Sequence, residues 1–284
     1  MLTEVDVALP DGRVLHVYDT GPADGLPVVW HHGTPNIGAP PTPLFAAGDR
    51  LGVRWVSYDR PGYGGSTPNP GRDVASAAGD VAALADALGV ETFAQLGHSG
   101  GGPHALACAA LLPDRVLAVA SVSGPAPYGA DGLDYFAGMA PASEASLRAA
   151  TQGREAKERH EATATATDDI GFGDADWAAL EGDWAWLGDV VAPAVAAGPE
   201  ALVDDDLAYV APWGCDPARV AAPLLLVHGT ADRMVPSTHA EWLAAHCPTA
   251  ELWLVPDEGH ISVLKRGEAA LEWLVTRAAA ARQT

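Results

Sequence analysis

Cationic side chains are scarce in this chain of 284 residues: 16 Lys and Arg stand against 37 Asp and Glu, a formal net charge of −21. So acidic a surface repels nucleic-acid phosphates and anionic lipid headgroups, so neither nucleic acid nor membrane is an expected partner. A neutral or cationic small molecule is. The three cysteines, Cys108, Cys215 and Cys247, are widely spaced with no CxxC pair, which excludes a disulfide framework and a zinc ribbon. Cys108 sits in the apolar run 105–110 and is expected to be a buried, inert thiol. No uninterrupted apolar stretch reaches the ~18 residues of a membrane helix. The first residues, Met1 to Asp6, lack the basic and apolar regions of a secretory leader, so a cytoplasmic location is expected. There is no internal repeat, and nothing in the sequence signals an oligomeric state. The 31 Gly and 23 Pro follow no period, which excludes collagen-like and low-complexity chains. With 48% hydrophobic residues the chain can bury a sizeable core.

The pattern of apolar runs and breakers predicts an α/β fold. Strands are expected at 4–9 and 14–18 around the Asp11-Gly12 turn, then within 25–33 and at 53–58. A helix over 73–88 follows, with Asp73 as its N-cap and Gly89 as its stop. Strand 92–96, a helix over 100–112 and strand 116–122 come next. After a break, strand 223–227, helix 237–245, strand 251–255 and a helix over 262–281 resume the alternation. Strands alternating with helices of about a dozen residues imply a mostly parallel sheet with helices on both faces.

The break, residues 125–212, reads as an insertion of short helices between the two halves of the core, 1–124 and 213–284. It is Trp-rich and acidic. From 124 to 212 there are 17 Asp and Glu against 4 Lys and Arg, so this stretch carries 13 of the 21 net negative charges. Such an insertion is expected to lie as a lid over the carboxyl edge of the sheet. Its acids, Asp204-Asp205-Asp206 included, are expected to be solvated or helix-capping rather than to bind a cation, and no metal or cofactor is implied. Trp177, Trp184, Trp186, Trp213, Tyr135 and Phe136 are candidates to line an apolar substrate pocket or to pack the lid onto the core.

Chemistry concentrates at the ends of predicted strands. Gly97-His98-Ser99-Gly100-Gly101 fits G-x-S-x-G, a match that chance alone gives in roughly one such sequence in ten. Here it follows a strand and opens a helix, the setting in which a serine on a tight turn projects its hydroxyl above the sheet. A serine needs a base held in place. Asp232 and His260 each follow a later strand, so both can meet Ser99 at one edge, in the order Ser, Asp, His. The turn after strand 116–122 reads Ser121-Val122-Ser123-Gly124-Pro125 and offers no rival carboxylate. Asp257 and Glu258 are expected only to serve the turn before His260. In His31-His32-Gly33-Thr34-Pro35, the Thr34 backbone N–H is expected to form an oxyanion hole with that of Gly100, each donor contributing ~3 kcal/mol to the transition state. His32 is expected to brace this loop, and the segment 58–66 to be structural.

With these motifs in order, the chain resembles the α/β-hydrolase superfamily over about 1–124 and 213–284. The resemblance implies a serine hydrolase acting on a small or medium carboxylic ester, thioester or lactone. Ser99 would be the nucleophile, His260 the base and Asp232 its orienting acid, with His98, Trp177, Trp184 and Trp186 as candidate substrate contacts. Haloalkane dehalogenases and epoxide hydrolases share the HGxP loop but use an Asp nucleophile, which Ser99 argues against. Proline iminopeptidases carry a second Gly in that loop and a Gly-Gly-Ser-Trp-Gly elbow; Thr34 and His98 depart from both. An aminopeptidase using the acidic lid to bind an amine is the runner-up. A C–C bond hydrolase or cofactor-free perhydrolase would share the triad, and a non-catalytic binding protein would share the fold.

Overall fold

The computed structural model describes residues 2–165 and 168–282. The chain begins with the antiparallel strands β1 (Thr3–Ala8) and β2 (Val14–Asp19), joined at the Asp11-Gly12 turn where Gly12 takes φ +88°. β3 (Leu26–His31) leads through a loop to helix α1 (Phe45–Leu51), which apolar patterning alone does not mark, and then to β4 (Val53–Tyr58). Helix α2 (Ser76–Ala87) starts three residues later than the sequence suggests. Asp73 Oδ1 accepts the Ser76 N–H at 2.8 Å and so caps the turn that feeds the helix. Gly89, at φ +65°, ends it as expected. β5 (Phe93–His98), α3 (Gly101–Leu111) and β6 (Val116–Val122) complete the first half.

Among the described residues five α-helices follow between β6 and β7: α4 (Pro141–Thr151), α5 (Arg154–Glu161), α6 (Asp174–Glu181), α7 (Trp186–Ala196) and α8 (Glu200–Val210). The core resumes with β7 (Leu224–Gly229), α9 (Thr238–His246) and β8 (Ala250–Val255). The last expected helix divides into a 3-10 turn, Ser262–Arg266, and α10 (Gly267–Ala281).

The eight strands form one sheet in the order β1-β2-β4-β3-β5-β6-β7-β8, parallel from β4 to β8 and antiparallel at β1 and β2. The mostly parallel sheet read from the sequence is present. Every residue of β3, β5 and β7 is buried, as parallel strands covered on both faces must be. One face packs against α2, α3 and α9 through residues such as Val81, Leu106 and Leu243; the other packs against α1 and α10 through Ala47, Leu271 and Leu274. Because the central strands run the same way, the loops after β3, β5, β7 and β8 emerge at one edge. Among the described residues no helix is long and apolar enough to cross a membrane.

Leu225, on β7 between β6 and β8, is fully buried in the second of these layers. Leu225→Ala is expected to lower unfolding free energy in urea by about 3 kcal/mol, the usual cost of a cavity at such a site. A loss below ~1 kcal/mol would show that this layer is loosely packed.

Candidate active site

Ser99 lies between β5 and α3 with φ +52°, a left-handed conformation that a serine adopts at a cost. Its neighbours explain how the turn closes. A Cβ at Gly97 would lie 2.4 Å from the Gly101 carbonyl oxygen, and one at Gly101 would lie 2.0 Å from that of His31. The Ser99 N–H donates to the Val122 carbonyl at 2.8 Å, pinning the turn to β6.

The three loops meet as the sequence implied. His260 Nε2 lies 2.8 Å from Ser99 Oγ, and His260 Nδ1 lies 2.8 Å from Asp232 Oδ2. Since Nδ1 must donate to the carboxylate, Nε2 is left to accept the Ser99 proton. Asp232 Oδ1 accepts the Met234 and Val235 N–H groups, each at 2.9 Å, and His228 lies 3.3 Å from Oδ2. Burial alone would raise the Asp232 carboxyl. The His260 charge and these hydrogen bonds outweigh it and hold the group well below the carboxylate range. Among the described residues the Thr34 and Gly100 N–H groups have no hydrogen-bond acceptor, and both residues line the cavity around Ser99.

Two cavities adjoin Ser99. The first, about 320 Å³, is apolar and bounded by Phe172, Leu180, Leu187 and Val191 from the inserted segment and by His260 from the core. The second, about 250 Å³, is bounded by Thr34, Gly100, Tyr135, Ser146, Asp206 and Tyr209. Ser99, Thr34 and Met234 belong to both.

The structure corrects several expectations about the insertion. Asp204, Asp205 and Asp206 do not face solvent or cap a helix; they sit within α8 and are buried. Asp205, fully buried, accepts from Arg60 Nη2 at 2.7 Å, Arg72 Nη2 at 2.7 Å, Thr34 Oγ1 at 2.7 Å and Tyr63 OH at 3.0 Å. Burial would raise its carboxyl, but Arg60 and Arg72 hold it well below the ordinary range. The Arg60 guanidinium also donates to the carbonyls of His32 and Gly33, so Asp205 is wired to the loop that carries the Thr34 N–H. Tyr209, one turn along α8, reaches Thr34 Oγ1 at 2.8 Å and the Gly100 carbonyl at 3.0 Å. Gly100 is required there because a Cβ would lie 2.3 Å from the Tyr209 hydroxyl.

A second link is Asp176 on α6, buried. Its Oδ1 accepts the Ile261 and Ser262 N–H groups at 2.8 and 2.9 Å, and its Oδ2 accepts that of Gly173 at 3.0 Å. Gly259 is glycine because a Cβ would lie 2.1 Å from Asp176 Oδ2. Sequence reasoning missed Asp176, Asp205 and Tyr209. A carboxylate in an acidic segment carries no mark of burial until its long-range partner is known.

The tryptophans also fall differently. Trp177 is 52% exposed and bounds neither cavity. Trp184 and Trp186 pack edge-on to one another, and Trp186 packs on Trp30; Trp213 is core beside Tyr209. Phe136 lies under the Arg148 guanidinium at 4.1 Å. Of the six aromatic candidates, only Tyr135 reaches a cavity wall. His98 bounds the first cavity, with Nε2 3.3 Å from the His260 carbonyl. His32 braces its loop as expected: Nδ1 meets the Gly33 carbonyl at 2.7 Å, and Nε2 accepts the Arg60 N–H at 3.0 Å. The Glu258 carboxylate pairs with Lys265. Cys108 is buried, and burial raises its thiol well above the ordinary value.

An α/β sheet whose carboxyl edge gathers a strained serine, a histidine and a buried aspartate defines a hydrolase-type architecture. The α/β-hydrolase fold family matches residues 27–266, and the chain belongs to that family. It is 31% identical over 244 residues to a non-heme chloroperoxidase of Streptomyces lividans, covering 82% of this chain and 84% of that protein. A bromoperoxidase from Bacillus anthracis superposes with a TM-score of 0.73 at 21% identity, covering 96% of this chain and all of that one. A thermophilic esterase from Thermogutta terrifontis superposes with a TM-score of 0.70 at 24% identity, covering 97% and 99%.

Burial holds the imidazoles of His31, His98 and His104 down to about 3, so all three are neutral in the folded protein near pH 7. The unfolded chain takes up these protons below about 6.5 and the folded chain does not until about 3. Stability therefore drops as pH falls through that window, by about 2 kcal/mol per imidazole at pH 5. The urea midpoint is expected to fall steadily from pH 7 to pH 5. A midpoint that stays level would contradict the burial of these rings.

Proposed function

We propose that this protein is a serine hydrolase that cleaves a small or medium carboxylic ester, thioester or lactone through an acyl-enzyme. The observation that carries this reading is the unbroken relay Ser99–His260–Asp232, with both links at 2.8 Å, opening onto two cavities. In the first step His260 Nε2 takes the Ser99 proton as Oγ attacks the carbonyl carbon. Asp232 keeps Nδ1 protonated and steadies the imidazolium. The Thr34 and Gly100 N–H groups receive the developing oxyanion, and because neither has a partner among the described residues they give up no hydrogen bond there in doing so. His260 then returns the proton to the departing alcohol or thiol oxygen or sulfur. Water, activated by the same imidazole, releases the acid. None of these steps calls for a metal or a cofactor.

Within this reading the segment 125–212 acts as a lid. Its residues Phe172, Leu180, Leu187 and Val191 close the first cavity, so it sets specificity and excludes water.

Perhydrolysis is the second reading, favoured by the 31% identity to a non-heme chloroperoxidase. It would differ in one step: hydrogen peroxide attacks the acyl-enzyme in place of water, giving a peracid and free Ser99. The serine chemistry is common to both.

Turnover of p-nitrophenyl acetate and butyrate is expected from the wild type, with a loss of ~10³-fold or more in Ser99→Ala. An L-proline aryl amide assayed alongside is expected to remain uncleaved. Peracid formed when peroxide is added to the wild type would establish the second reading. Ester turnover that survives Ser99→Ala would refute both.

A further inference from the structure

Two cavities adjoin one serine, and the departure of the leaving group tells them apart. His260 Nε2 hands its proton to the leaving oxygen, so that oxygen and what it carries lie beside the imidazole. Of the two cavities the first alone is bounded by His260. The Phe172 ring continues that wall, stacked on the imidazole with ring centres 6.4 Å apart and planes inclined by 20°. The leaving group therefore belongs in the first cavity and the acyl chain in the second. Among the described residues no Lys or Arg bounds either cavity, so a leaving group bearing phosphate or carboxylate would meet no countercharge there.

One polar side chain interrupts the apolar wall of the first cavity. Asn36 follows Thr34 and Pro35 on the loop after β3 and is only 4% exposed. The next N–H, that of Ile37, donates to the Val190 carbonyl on α7 at 2.9 Å, so the backbone that carries Asn36 is pinned. Its side-chain amide has no hydrogen-bond partner among the described residues. Unlike Trp30 Nε1 and Gln95 Nε2, core nitrogens that also lack a partner, it is not sealed from the cavity. An amide held dry and unpaired is costly, so a bound group that pairs with it is favoured. In a cavity otherwise lined by Phe172, Leu180, Leu187 and Val191, one such group decides how a ligand is oriented.

We propose, resting on the acyl-enzyme reading above, that the first cavity is the leaving-group subsite and that Asn36 selects its occupant: an uncharged, mostly apolar alcohol carrying one further oxygen. An amide offers both N–H donors and a carbonyl acceptor, so an ether, carbonyl or hydroxyl oxygen can pair with it. A purely alkyl alcohol leaves the amide unpaired, and an anionic one lacks a countercharge. Asn36 is thus a specificity-determining residue that meets the leaving group away from the reacting atoms.

The test compares kcat/KM for pentyl acetate with acetates of the same chain length that carry one oxygen at different depths: 2-ethoxyethyl, 3-methoxypropyl and 4-hydroxybutyl. Ethyl hexanoate and ethyl 3-ethoxypropanoate make the same exchange on the acyl side, and 4-carboxybutyl acetate supplies an anion. Wild type, Asn36→Leu and Asn36→Ala are each assayed. The amide makes no hydrogen bond to the described residues, so its removal strands none of them. Each oxygenated-to-alkyl ratio is also read within one protein, so a loss of folded enzyme cancels. For at least one oxygenated acetate that ratio is expected to fall ~10-fold or more in both variants, while the acyl-side ratio holds. Ratios unchanged in both variants for all three acetates would overturn the proposal. A fall confined to the acyl-side pair would overturn the assignment of the leaving group to the first cavity. Faster turnover of 4-carboxybutyl acetate than of every neutral acetate would overturn the choice of an uncharged alcohol. Plain-ester turnover that persists in Ser99→Ala would instead sink the acyl-enzyme reading, and this assignment with it.

Discussion

The Asp205 carboxylate is the point on which the site depends. It is fully buried on α8, yet it gathers Arg60 from the loop after β4, Arg72 from the approach to α2, Tyr63, and the Thr34 hydroxyl. A lone carboxylate at that depth would cost far more than the fold could offset. With two guanidinium groups and two hydroxyls around it, the charge is matched, and the inserted helices acquire one seat on the core. Removing one side of such a pair usually costs 3–5 kcal/mol, because the other side is left charged and dry. The same atoms fix the Thr34 loop from behind, so the geometry in front of Ser99 is inherited from an ion pair that never touches it.

Asp176 does for His260 what Asp205 does for Thr34. Its carboxylate caps the N–H groups of Ile261 and Ser262, immediately after the imidazole, and Gly259 leaves it room. The inserted segment is therefore more than a cover. Two of its buried acids hold the two core loops that face Ser99, while its apolar side chains wall the first cavity.

Much of the core was legible in the sequence, since fully apolar strands and glycine-marked turns are local signals. The α/β alternation, the elbow at Ser99 and the convergence of Asp232 and His260 on one edge all follow from where strands end. What was not legible is long-range. The run Asp204-Asp205-Asp206 looks like a solvated face because nothing nearby in sequence reveals Arg60, Arg72 and Lys157 waiting on other elements. Trp177 looks like a pocket wall and is half in solvent, because aromatic content does not report direction. Tyr135 alone of the aromatic candidates borders a cavity beside Ser99, and which of them would do so depends on the fold of the whole insertion.

The proposed chemistry turns on one covalent event at one atom, Ser99 Oγ. The most direct measurement is mass spectrometry of the intact and digested protein, quenched in acid within the first turnovers of p-nitrophenyl butyrate and, separately, after treatment with a fluorophosphonate. Both reagents are predicted to add their acyl or phosphonyl mass to the peptide containing Ser99, and to leave the Ser99→Ala protein unmodified. Label on another residue, or an unlabelled Ser99 in a protein that still hydrolyses the ester, would contradict it.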